Sequence, residues 1–349
     1  MKDFWLQNGT SALIASLMTS SRNKKYVAVQ ASVCPNVIAA IFLSEYEPWF
    51  VDIDKENYGL SVTSLENAIN HVSAVICVHA YGIPSNIKEV HKLCIKHNVP
   101  LIEDCAQAEG ACISGKSVGS FGDYAVFSYG AGKILDLEGG GRVVGNTEKA
   151  LDELQYAIKS FDCNIDTESL DKINQFYKKI YNSYYLSPPE ACVIKFSKIL
   201  KQQMLIKATS LSVKKIDEIN KAIDVLETNI LVRLEKVEYY KRLLRNTKEI
   251  KIPELPEGAV PWRFNILMEP EKRNLILKSM LSKGMNVSSW YPDISKYLSP
   301  DVFKAENLIV TKWVGDRILN LWLDCNTELN TIKGNCNYIN TIIRDSYCV

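Results

Sequence analysis

Hydrophobic and polar positions follow two different periods along the first 150 residues. Short apolar runs rich in β-branched residues predict strands at residues 26–31, 48–53, 73–81, 99–104, 123–128 and 142–145. Between several of them, apolar residues recur at helical spacing, at residues 10–18, 37–43, 64–69 and 87–97. Strands that alternate with helices form βαβ units, so we expect an α/β fold with a mostly parallel sheet and helices on both faces. Ligands of such sheets bind at the carboxyl ends of the strands.

The pattern changes after about residue 150. Residues 151–248 contain no glycine, and a long helical pattern covers residues 214–246. Strand-like segments at 260–268 and 287–291 then alternate with helical segments at 271–283 and 327–344. This change predicts a large α/β domain in residues 1–210, followed by a linker helix and a smaller α+β domain in residues 211–349.

Composition and charge exclude several classes of protein. The 41 Lys and Arg residues nearly balance the 40 Asp and Glu residues, so no net field favours nucleic acid or an anionic membrane. Ten cysteines are scattered without a CxxC pair, and four histidines are too few for a His-based metal site. We therefore expect a reduced, cytoplasmic protein without a metal. The longest apolar runs are too short to span a bilayer, and the N-terminus lacks a signal-peptide pattern.

A possible phosphate site begins at Asn8. The sequence Asn8-Gly9-Thr10-Ser11 precedes an apolar helical run. The start of a helix presents backbone N–H groups and a partial positive charge, which suit a phosphate group. The alternative is a simple helix cap formed by Thr10 or Ser11.

An acidic residue ends one of the predicted strands. In LIEDCAQ (101–107), Asp104 follows an apolar strand at the sheet edge where ligands bind. Its carboxylate could hold a ring nitrogen in the protonated state, and Gln107 could donate to a ring oxygen. The alternative is that Asp104 only caps the next turn.

A loop of small residues carries Lys133. The segment FSYGAGK (127–133) resembles a phosphate-binding P-loop, but that motif requires Gly where Phe127 stands and Ser or Thr where Ile134 stands. A single lysine after such a loop is usually a surface residue. The nearby run Gly139-Gly140-Gly141 is typical of a tight turn.

A phosphate site, a strand-end acid and a loop lysine, in that order on a parallel sheet, are what a pyridoxal-phosphate (PLP) aminotransferase requires. The sequence resembles the DegT/StrS-type sugar-nucleotide aminotransferases, which have the fold-type-I PLP architecture. The matching stretches are NGTSAL (8–13), EPWFVDID (47–54), VHAYG (78–82), LIEDCAQAEGA (101–111), GKSVGSFGDYAVFSYGAGK (115–133) and EGGGRVVGN (138–146). A fainter likeness continues in residues 225–244 and 282–292.

The resemblance assigns roles to individual residues. Lys133 falls on the lysine that binds PLP covalently, and Asp104 falls on the acid that pairs with the pyridine nitrogen. These two would be the catalytic residues. The other cofactor contacts would come from Ala106 and Gln107 beside the ring and from Gly9, Thr10, Ser11 and Ser128 around the phosphate.

The sequence departs from the family at several positions. Cys34 stands where an aromatic residue usually stacks on the ring, so we expect Cys34 or its neighbour Pro35 to cover one ring face. Val213 stands where an Asn from the second subunit usually reaches the phosphate. Either a nearby donor replaces that Asn, or the helix only packs the dimer; the candidate donors are Ser212, Lys214 and Lys215. Trp290 replaces a His, and only seven residues precede Asn8, where the family usually has a longer segment.

The resemblance also implies a function. We expect a homodimeric PLP-dependent aminotransferase that moves an amino group from L-glutamate to a keto-sugar nucleotide, for a surface polysaccharide or another glycoconjugate. One alternative is another PLP reaction of the same fold, such as that of a sugar dehydratase or a lyase. Family dehydratases replace the PLP-binding lysine, whereas Lys133 is present. A second alternative is a non-catalytic sensor or scaffold, against which Lys133, Asp104 and Gln107 argue.

Overall fold

The computed structural model describes residues 3–21, 23–161, 211–244 and 247–345. Its strands are β1 (Asp3–Leu6), β2 (Tyr26–Gln30), β3 (Glu47–Val51), β4 (Val72–Val78), β5 (Leu101–Asp104), β6 (Cys112–Ile113), β7 (Lys116–Ser117), β8 (Tyr124–Ser128), β9 (Gly141–Gly145), β10 (Phe264–Leu267), β11 (Val287–Ser288), β12 (Lys304–Ala305) and β13 (Ile318–Leu321). Its α-helices are α1 (Gly9–Met18), α2 (Pro35–Leu43), α3 (Val62–Ala68), α4 (Ile87–His97), α5 (Glu148–Ile158), α6 (Val213–Asp224), α7 (Leu226–Leu244), α8 (Pro270–Ser282), α9 (Ile309–Arg317) and α10 (Leu329–Asp345). Predictions that fall on residues 162–210 lie outside the described residues.

Eight strands form a large sheet in the order β1-β9-β8-β5-β4-β2-β3-β12. Six of these strands are parallel to one another: β2, β3, β4, β5, β8 and β12. Strand β9 runs antiparallel to both β8 and β1. Every residue of β4 is buried, as expected for an apolar run in the middle of a parallel sheet. The mostly parallel α/β sheet that the sequence predicts is confirmed.

Helices cover both faces of this sheet, also as predicted. On one face, α1, α2 and α5 contribute Leu13, Ile38 and Leu154 to a continuous buried core. On the other face, Leu65 of α3 and Val90 of α4 pack against the opposite side of the strands. The carboxyl ends of the parallel strands lie at one edge, where the connecting loops begin.

A second, three-stranded antiparallel sheet has the order β10-β13-β11. One of its faces packs against α7, α8 and α10 in a separate core, in which Tyr240 stacks on Phe264 with ring centroids 4.6 Å apart. The other face carries polar residues, because Asn320 hydrogen-bonds with Asn265 and Ser288. The predicted α+β pattern is therefore present.

The elements of this second part differ from the predictions in three places. The helical pattern at 214–246 is two helices, because the chain leaves the helical conformation at Val225, where ψ is +13°. The predicted strand at 260–268 is shorter, spanning Phe264–Leu267, and β13 was not predicted although it is the central strand. The domain division at residue 210 stays a prediction. Strand β12, from the second half of the chain, pairs with β3 in the large sheet. Within the described ranges, every helix is too short or too polar to cross a membrane.

Candidate active site

Asp104 ends β5 and is 3% exposed at the carboxyl edge of the large sheet. Its Oδ1 accepts a 3.0 Å hydrogen bond from the backbone N–H of Ala106. Burial raises the pKa of the Asp104 carboxyl above its ordinary value, although the charge of Lys133, the Ala106 N–H and His79 act in the opposite direction. The electrostatic effect of Lys133 means that the structure brings these two predicted catalytic residues together.

Lys133 is half-buried in the loop that follows β8. Its backbone N–H donates to the carbonyl of Gly130 at 3.2 Å, and the N–H of Leu137 returns to the carbonyl of Tyr129 at 3.0 Å. These hydrogen bonds fold the loop back on itself, so that Lys133 lies only a few residues after the end of β8.

The carbonyls on both sides of Lys133 accept hydrogen bonds from distant residues. Trp262 Nε1 donates to Gly132 O at 2.5 Å, and Arg233 Nη2 donates to Ile134 O at 3.2 Å. Arg233 also donates through Nη1 to the carbonyl of Trp262 at 3.2 Å. We call these two residues the lysine clamp. Sequence reasoning missed both, because nothing in a helical or strand pattern marks a residue whose partner lies 99 or 130 positions away.

The predicted phosphate residues converge at the start of α1. An ideal Cβ on Gly9 would lie 2.8 Å from Ser128 Cβ and 3.0 Å from Ser128 Oγ, so only glycine allows Ser128 to approach the helix this closely. Thr10 and Ser11, in the same first turn, are 5% and 0% exposed. The structure thus brings Gly9, Thr10, Ser11 and Ser128 together around the positive end of a helix.

The cap of α1 is Asn8, so the alternative cap by Thr10 or Ser11 is wrong. Asn8 has an extended backbone, and its Oδ1 accepts the N–H of Ser11 at 2.9 Å. A residue already inside the helix cannot take that extended conformation. The glycine turn is packed against the same residue, because an ideal Cβ on Gly141 would lie 2.2 Å from Asn8 O. That turn therefore fixes the position of the helix start.

Gln107 is engaged within the protein. Its Oε1 accepts the backbone N–H of Tyr81 at 2.9 Å, and its Nε2 donates to the hydroxyl of Tyr291 at 2.7 Å. Tyr291 is in turn joined to Tyr81, whose hydroxyl accepts the Tyr291 N–H at 2.9 Å. The structure thus places Gln107 beside Ala106 and Asp104 but also identifies Tyr291, which sequence reasoning missed, as its neighbour.

Cys34 lies directly before α2, in the loop that follows β2. Its side chain is half-buried and packs against two of the buried cores, and Pro35 is the first residue of α2. Ser32, two residues earlier, donates to the carbonyl of Tyr291 at 3.2 Å. The segment therefore lies at the same sheet edge as Asp104, and its contact with a cofactor ring stays a prediction.

A buried acid–base pair lies below Asp104. His79 Nε2 and Glu103 Oε2 are 3.1 Å apart, and both side chains are fully buried. Burial by itself would raise the pKa of Glu103, but the hydrogen bonds from His79, Gly119 and Gly122 lower it overall. The backbone N–H of His79 donates to Asp104 O at 3.1 Å. This pair supports the strand end that carries Asp104, and sequence reasoning missed it.

Two of the candidate donors at the start of α6, Ser212 and Lys215, have local roles in one chain. Val213 is 81% exposed, and Ser212 caps the helix by accepting the N–H of Lys215 at 3.2 Å. The Lys215 ammonium donates to the carbonyl of Leu137, in the segment after Lys133, and to Glu218 at 3.0 Å. Whether Ser212, Lys214 or Lys215 of the partner subunit reaches a phosphate stays a prediction.

Trp290 belongs to an aromatic cluster near the lysine clamp. Its ring centroid is 6.0 Å from that of Trp262 and 5.1 Å from that of Tyr291. Its backbone N–H donates to Asn320 Oδ1 at 2.7 Å. The cluster forms an aromatic wall that connects the three-stranded sheet with the loop of Lys133.

The residues present fit PLP. Asp104 Oδ2 accepts no hydrogen bond from the described part of the chain, so this buried carboxylate can accept one from a protonated ring nitrogen. Lys133 lies close enough to lower the pKa of that carboxyl. The hydroxyl of Ser128 and the start of α1 provide donors and a positive dipole for a phosphate group.

The chain is similar to known aminotransferases. Residues 5–184 match the model of the DegT/DnrJ/EryC1/StrS aminotransferase family. A GDP-perosamine synthase of Escherichia coli O157:H7 is 36% identical over 149 residues, which are 42% of this chain and 41% of that protein. A UDP-N-acetyl-3-dehydro-alpha-D-glucosamine 3-aminotransferase of Acidithiobacillus ferrooxidans is 42% identical over 114 residues, 32% of this chain and 31% of that protein. The chain therefore aligns with less than half the length of either relative.

A solved structure extends the likeness of fold over the whole chain. Helicobacter pylori PseC, an aminotransferase involved in the biosynthesis of pseudoaminic acid, matches with a TM-score of 0.79 and 18% identity. The match covers 99% of this chain and 87% of the other. The fold-type-I architecture predicted from the sequence is confirmed.

Proposed function

This chain belongs to the DegT/DnrJ/EryC1/StrS aminotransferase family, and from that premise we propose that it is a PLP-dependent enzyme that transfers an amino group to a keto-sugar nucleotide. L-Glutamate is the proposed amino donor. The product would serve the synthesis of a surface polysaccharide or another glycoconjugate. The relatives named for GDP-perosamine and for a UDP-linked 3-amino sugar support the class of acceptor.

Bound PLP supplies an electron sink that stabilises negative charge on a carbon atom next to the reacting nitrogen. Lys133 would hold it covalently, and the Asp104 carboxylate would keep its ring nitrogen protonated. Gly9, Thr10, Ser11 and Ser128 would bind the phosphate. Cys34, Ala106 and Gln107 would lie along the ring.

Lys133 is the residue that moves protons. Its Nζ would accept the proton that leaves the α-carbon of the amino donor and return a proton to the sugar carbon that receives the amino group. Such transfer requires that the amine stay within reach of both carbons. The lysine clamp contributes by fixing the backbone from which the side chain extends, because Trp262 and Arg233 hold the carbonyls on both sides of Lys133.

Asp104 acts through its charge in a site that excludes water. It is 3% exposed, so an ion pair formed by its carboxylate is weakly screened. Gln107 and Tyr291 form a hydrogen-bonded pair at the same edge of the sheet.

We further propose that the protein is a homodimer and is located in the cytoplasm. The cysteines of the described ranges form no disulfides, including the buried Cys77 and Cys94, which suits a reducing compartment. Three exposed apolar residues provide a surface for a second subunit: Val213 of α6, Leu231 of α7 and Val225 between the two helices.

The observation that carries the proposal is the placement of Lys133 beside the buried Asp104, with Ser128 against the start of α1. The test is to purify the protein with PLP and reduce it with borohydride. We expect the cofactor on the single peptide that contains Lys133. The treated protein should lose glutamate-dependent amino transfer to keto-sugar nucleotides, measured by the release of 2-oxoglutarate. Attachment at a different lysine, or no transfer from glutamate to any such acceptor, would refute the assignment.

A further inference from the structure

Arg263 is a buried cation with unused hydrogen-bond donors. It lies directly before β10 and is 5% exposed. Of its five N–H bonds, the described residues accept only one, at the carbonyl of Trp262, and that contact is long at 3.4 Å. Its Nε is buried and has no hydrogen-bond partner. Buried polar atoms are nearly always paired, so this side chain is the exception that needs an explanation.

The charges around Arg263 do not balance within the described chain. Burial lowers the pKa of the Arg263 guanidinium, and the charge of Arg233, which is 2% exposed, acts in the same direction. Arg233 donates to carbonyl groups and to the Asn229 side chain, and no carboxylate of the described residues lies within ion-pair distance of it. The nearest carboxylate to Arg263 is Asp324 Oδ2, 3.8 Å from Nη1 and partly exposed. A buried cation with one distant counter-charge is costly unless an anion joins it.

Aromatic rings hold the Arg263 guanidinium in place. Its central carbon lies 4.6 Å from the ring centroid of Trp262 and 4.3 Å from that of Trp322. Guanidinium groups stack on such faces while their N–H bonds stay available in the plane of the group. A rigid guanidinium with available edges is the arrangement that binds an oxyanion through two parallel hydrogen bonds.

The position of Arg263 relates it to Lys133. An ideal Cβ on Gly132, the residue before Lys133, would lie 3.4 Å from Arg263 Nη2. Arg263 also forms part of the wall of a small cavity of about 30 Å³ that is partly open to solvent, together with Tyr81 and Glu254. The guanidinium can therefore be approached from outside, although little of its surface is exposed.

We propose that Arg263, held by Trp262 and Trp322, forms an oxyanion-binding subsite that orients a substrate against Lys133. The inference rests on the proposed function, in which every substrate carries such a group. The oxyanion is either a carboxylate of the amino donor or a phosphate of the sugar nucleotide. Both have the charge and the paired oxygens that a guanidinium recognises.

Two unreactive probes distinguish these sources. Glutarate carries the carboxylates of the donor without its amino group, and inorganic pyrophosphate represents the phosphates of the acceptor. Each is titrated by calorimetry into PLP-loaded protein, so that the phosphate site at α1 is already filled. The variants are Arg263→Gln, which removes the charge, and Arg263→Lys, which keeps the charge but cannot donate two parallel hydrogen bonds.

Arg317→Gln is the matched control. Arg317 also stacks on a tryptophan, with its central carbon 5.0 Å from the ring centroid of Trp313, but it faces Glu269 at the surface. We expect the control to bind both probes as the wild type does. In Arg263→Gln we expect one of the two probes to bind about ten- to a hundredfold more weakly, the usual effect of losing a charge-assisted hydrogen bond. Arg263→Lys should show a smaller loss.

The outcomes assign the subsite or remove it. Selective loss of glutarate binding identifies the donor carboxylate, and selective loss of pyrophosphate binding identifies the acceptor. Unchanged affinity of Arg263→Gln for both probes, or no binding of either probe by the wild type, overturns the proposal. If Arg263→Gln does not fold, as judged by thermal unfolding, Arg263→Lys decides by the same criteria. Calorimetry needs no turnover, so the subsite can stand when amino transfer fails, and amino transfer can stand when the subsite fails.

Discussion

The indole N–H of Trp262 donates a 2.5 Å hydrogen bond to the carbonyl of Gly132, the residue immediately before Lys133. Arg233 makes the corresponding contact with the carbonyl of Ile134, immediately after the lysine. Both donors come from the second half of the chain, whereas Lys133 belongs to a loop of the large sheet. The position of the backbone that carries Lys133 therefore depends on contacts between parts of the chain that are far apart in sequence.

Trp262→Phe tests this dependence, because it keeps an aromatic ring but removes the donor to Gly132. The loss of one hydrogen bond should lower the free energy of unfolding by about 0.5–1.5 kcal/mol. We expect a larger relative effect on Lys133, seen as slower attachment of PLP to the cofactor-free protein in stopped-flow absorbance. Trp49→Phe is the control, since Trp49 Nε1 donates to Glu306 at 3.1 Å on the far side of the sheet. Equal rates in the two variants would contradict the role of the clamp.

Lys133→Ala removes both the covalent attachment and the proton carrier. Amino transfer should fall by at least the roughly 10²–10⁴-fold that a positioned acid–base group contributes. The circular dichroism spectrum should be unchanged, because Lys133 is half-buried and its side chain makes no hydrogen bond within the described residues. Turnover within tenfold of the wild type would exclude Lys133 as the proton carrier.

Asp104→Asn should change stability and cofactor binding in opposite directions. Burial raises the pKa of the Asp104 carboxyl, so ionisation above the ordinary carboxyl range costs folding free energy in the protein without cofactor. We expect the cofactor-free variant to melt at a higher temperature than the wild type at about pH 7. The difference should disappear near about pH 3, where the carboxyl is protonated in both the folded and the unfolded state.

The same variant should bind PLP about ten- to a hundredfold more weakly, because it loses a charge-assisted hydrogen bond. Equilibrium titration followed by tryptophan fluorescence would measure this. Undiminished PLP affinity would mean that the ring nitrogen has a different partner.

Glu103→Gln should destabilise the protein strongly. Oε1 of the carboxylate accepts the N–H groups of Phe121 at 2.6 Å and Gly122 at 2.7 Å, and Oε2 accepts that of Gly119 at 2.8 Å. An amide NH₂ in place of either oxygen would therefore face a donor. We expect a loss of at least about 1–3 kcal/mol in urea unfolding at neutral pH. Glu66→Gln, at an exposed position of α3, is the control and should have little effect.

The pH dependence gives this prediction a second measurement. The pKa of Glu103 is lowered in the folded protein, so its contribution is present above the ordinary Glu range of about 4.3 and is lost as the pH falls through the folded value. The wild type should therefore lose stability in acid more steeply than Glu103→Gln. Parallel curves for the two proteins would show that Glu103 is not the group responsible.

Cys34→Tyr tests whether the segment before α2 covers the cofactor ring. An aromatic side chain at this position offers more contact area than a thiol, and aromatic stacking is worth about 0.5–1.5 kcal/mol. We expect PLP to bind about two- to tenfold more tightly in Cys34→Tyr and nearly unchanged in Cys34→Ala. If neither substitution alters PLP affinity, the segment does not touch the ring.

Much of the large sheet could be predicted because its signals are local. A buried parallel strand such as β4 is a continuous apolar run, and α4 shows regular helical spacing. The motifs around Asp104 and Lys133 follow strands that were predicted within a few residues. Since the carboxyl ends of parallel strands share one edge, the proximity of Asp104 and Lys133 could be predicted from the order of the elements.

The parts of the fold and of the site that were not predicted depend on contacts that no local pattern encodes. Asn8 rather than Thr10 caps α1 because of its backbone conformation, which a short polar run leaves open. Arg233 occupies an ordinary position of a long helix, and only its distant carbonyl partners distinguish it. β12 has only two residues, too few for a period to be recognised.

The short strand β12 has a consequence for how the chain is made. It pairs in parallel with β3, although more than 250 residues separate Trp49 from Lys304. During synthesis on a ribosome, β3 is consequently an open edge of the sheet until Lys304 and Ala305 have emerged. Unpaired strand edges of this kind recruit other chains. The time between the emergence of β3 and the arrival of β12 is therefore when nascent copies are most exposed to aggregation and to chaperones.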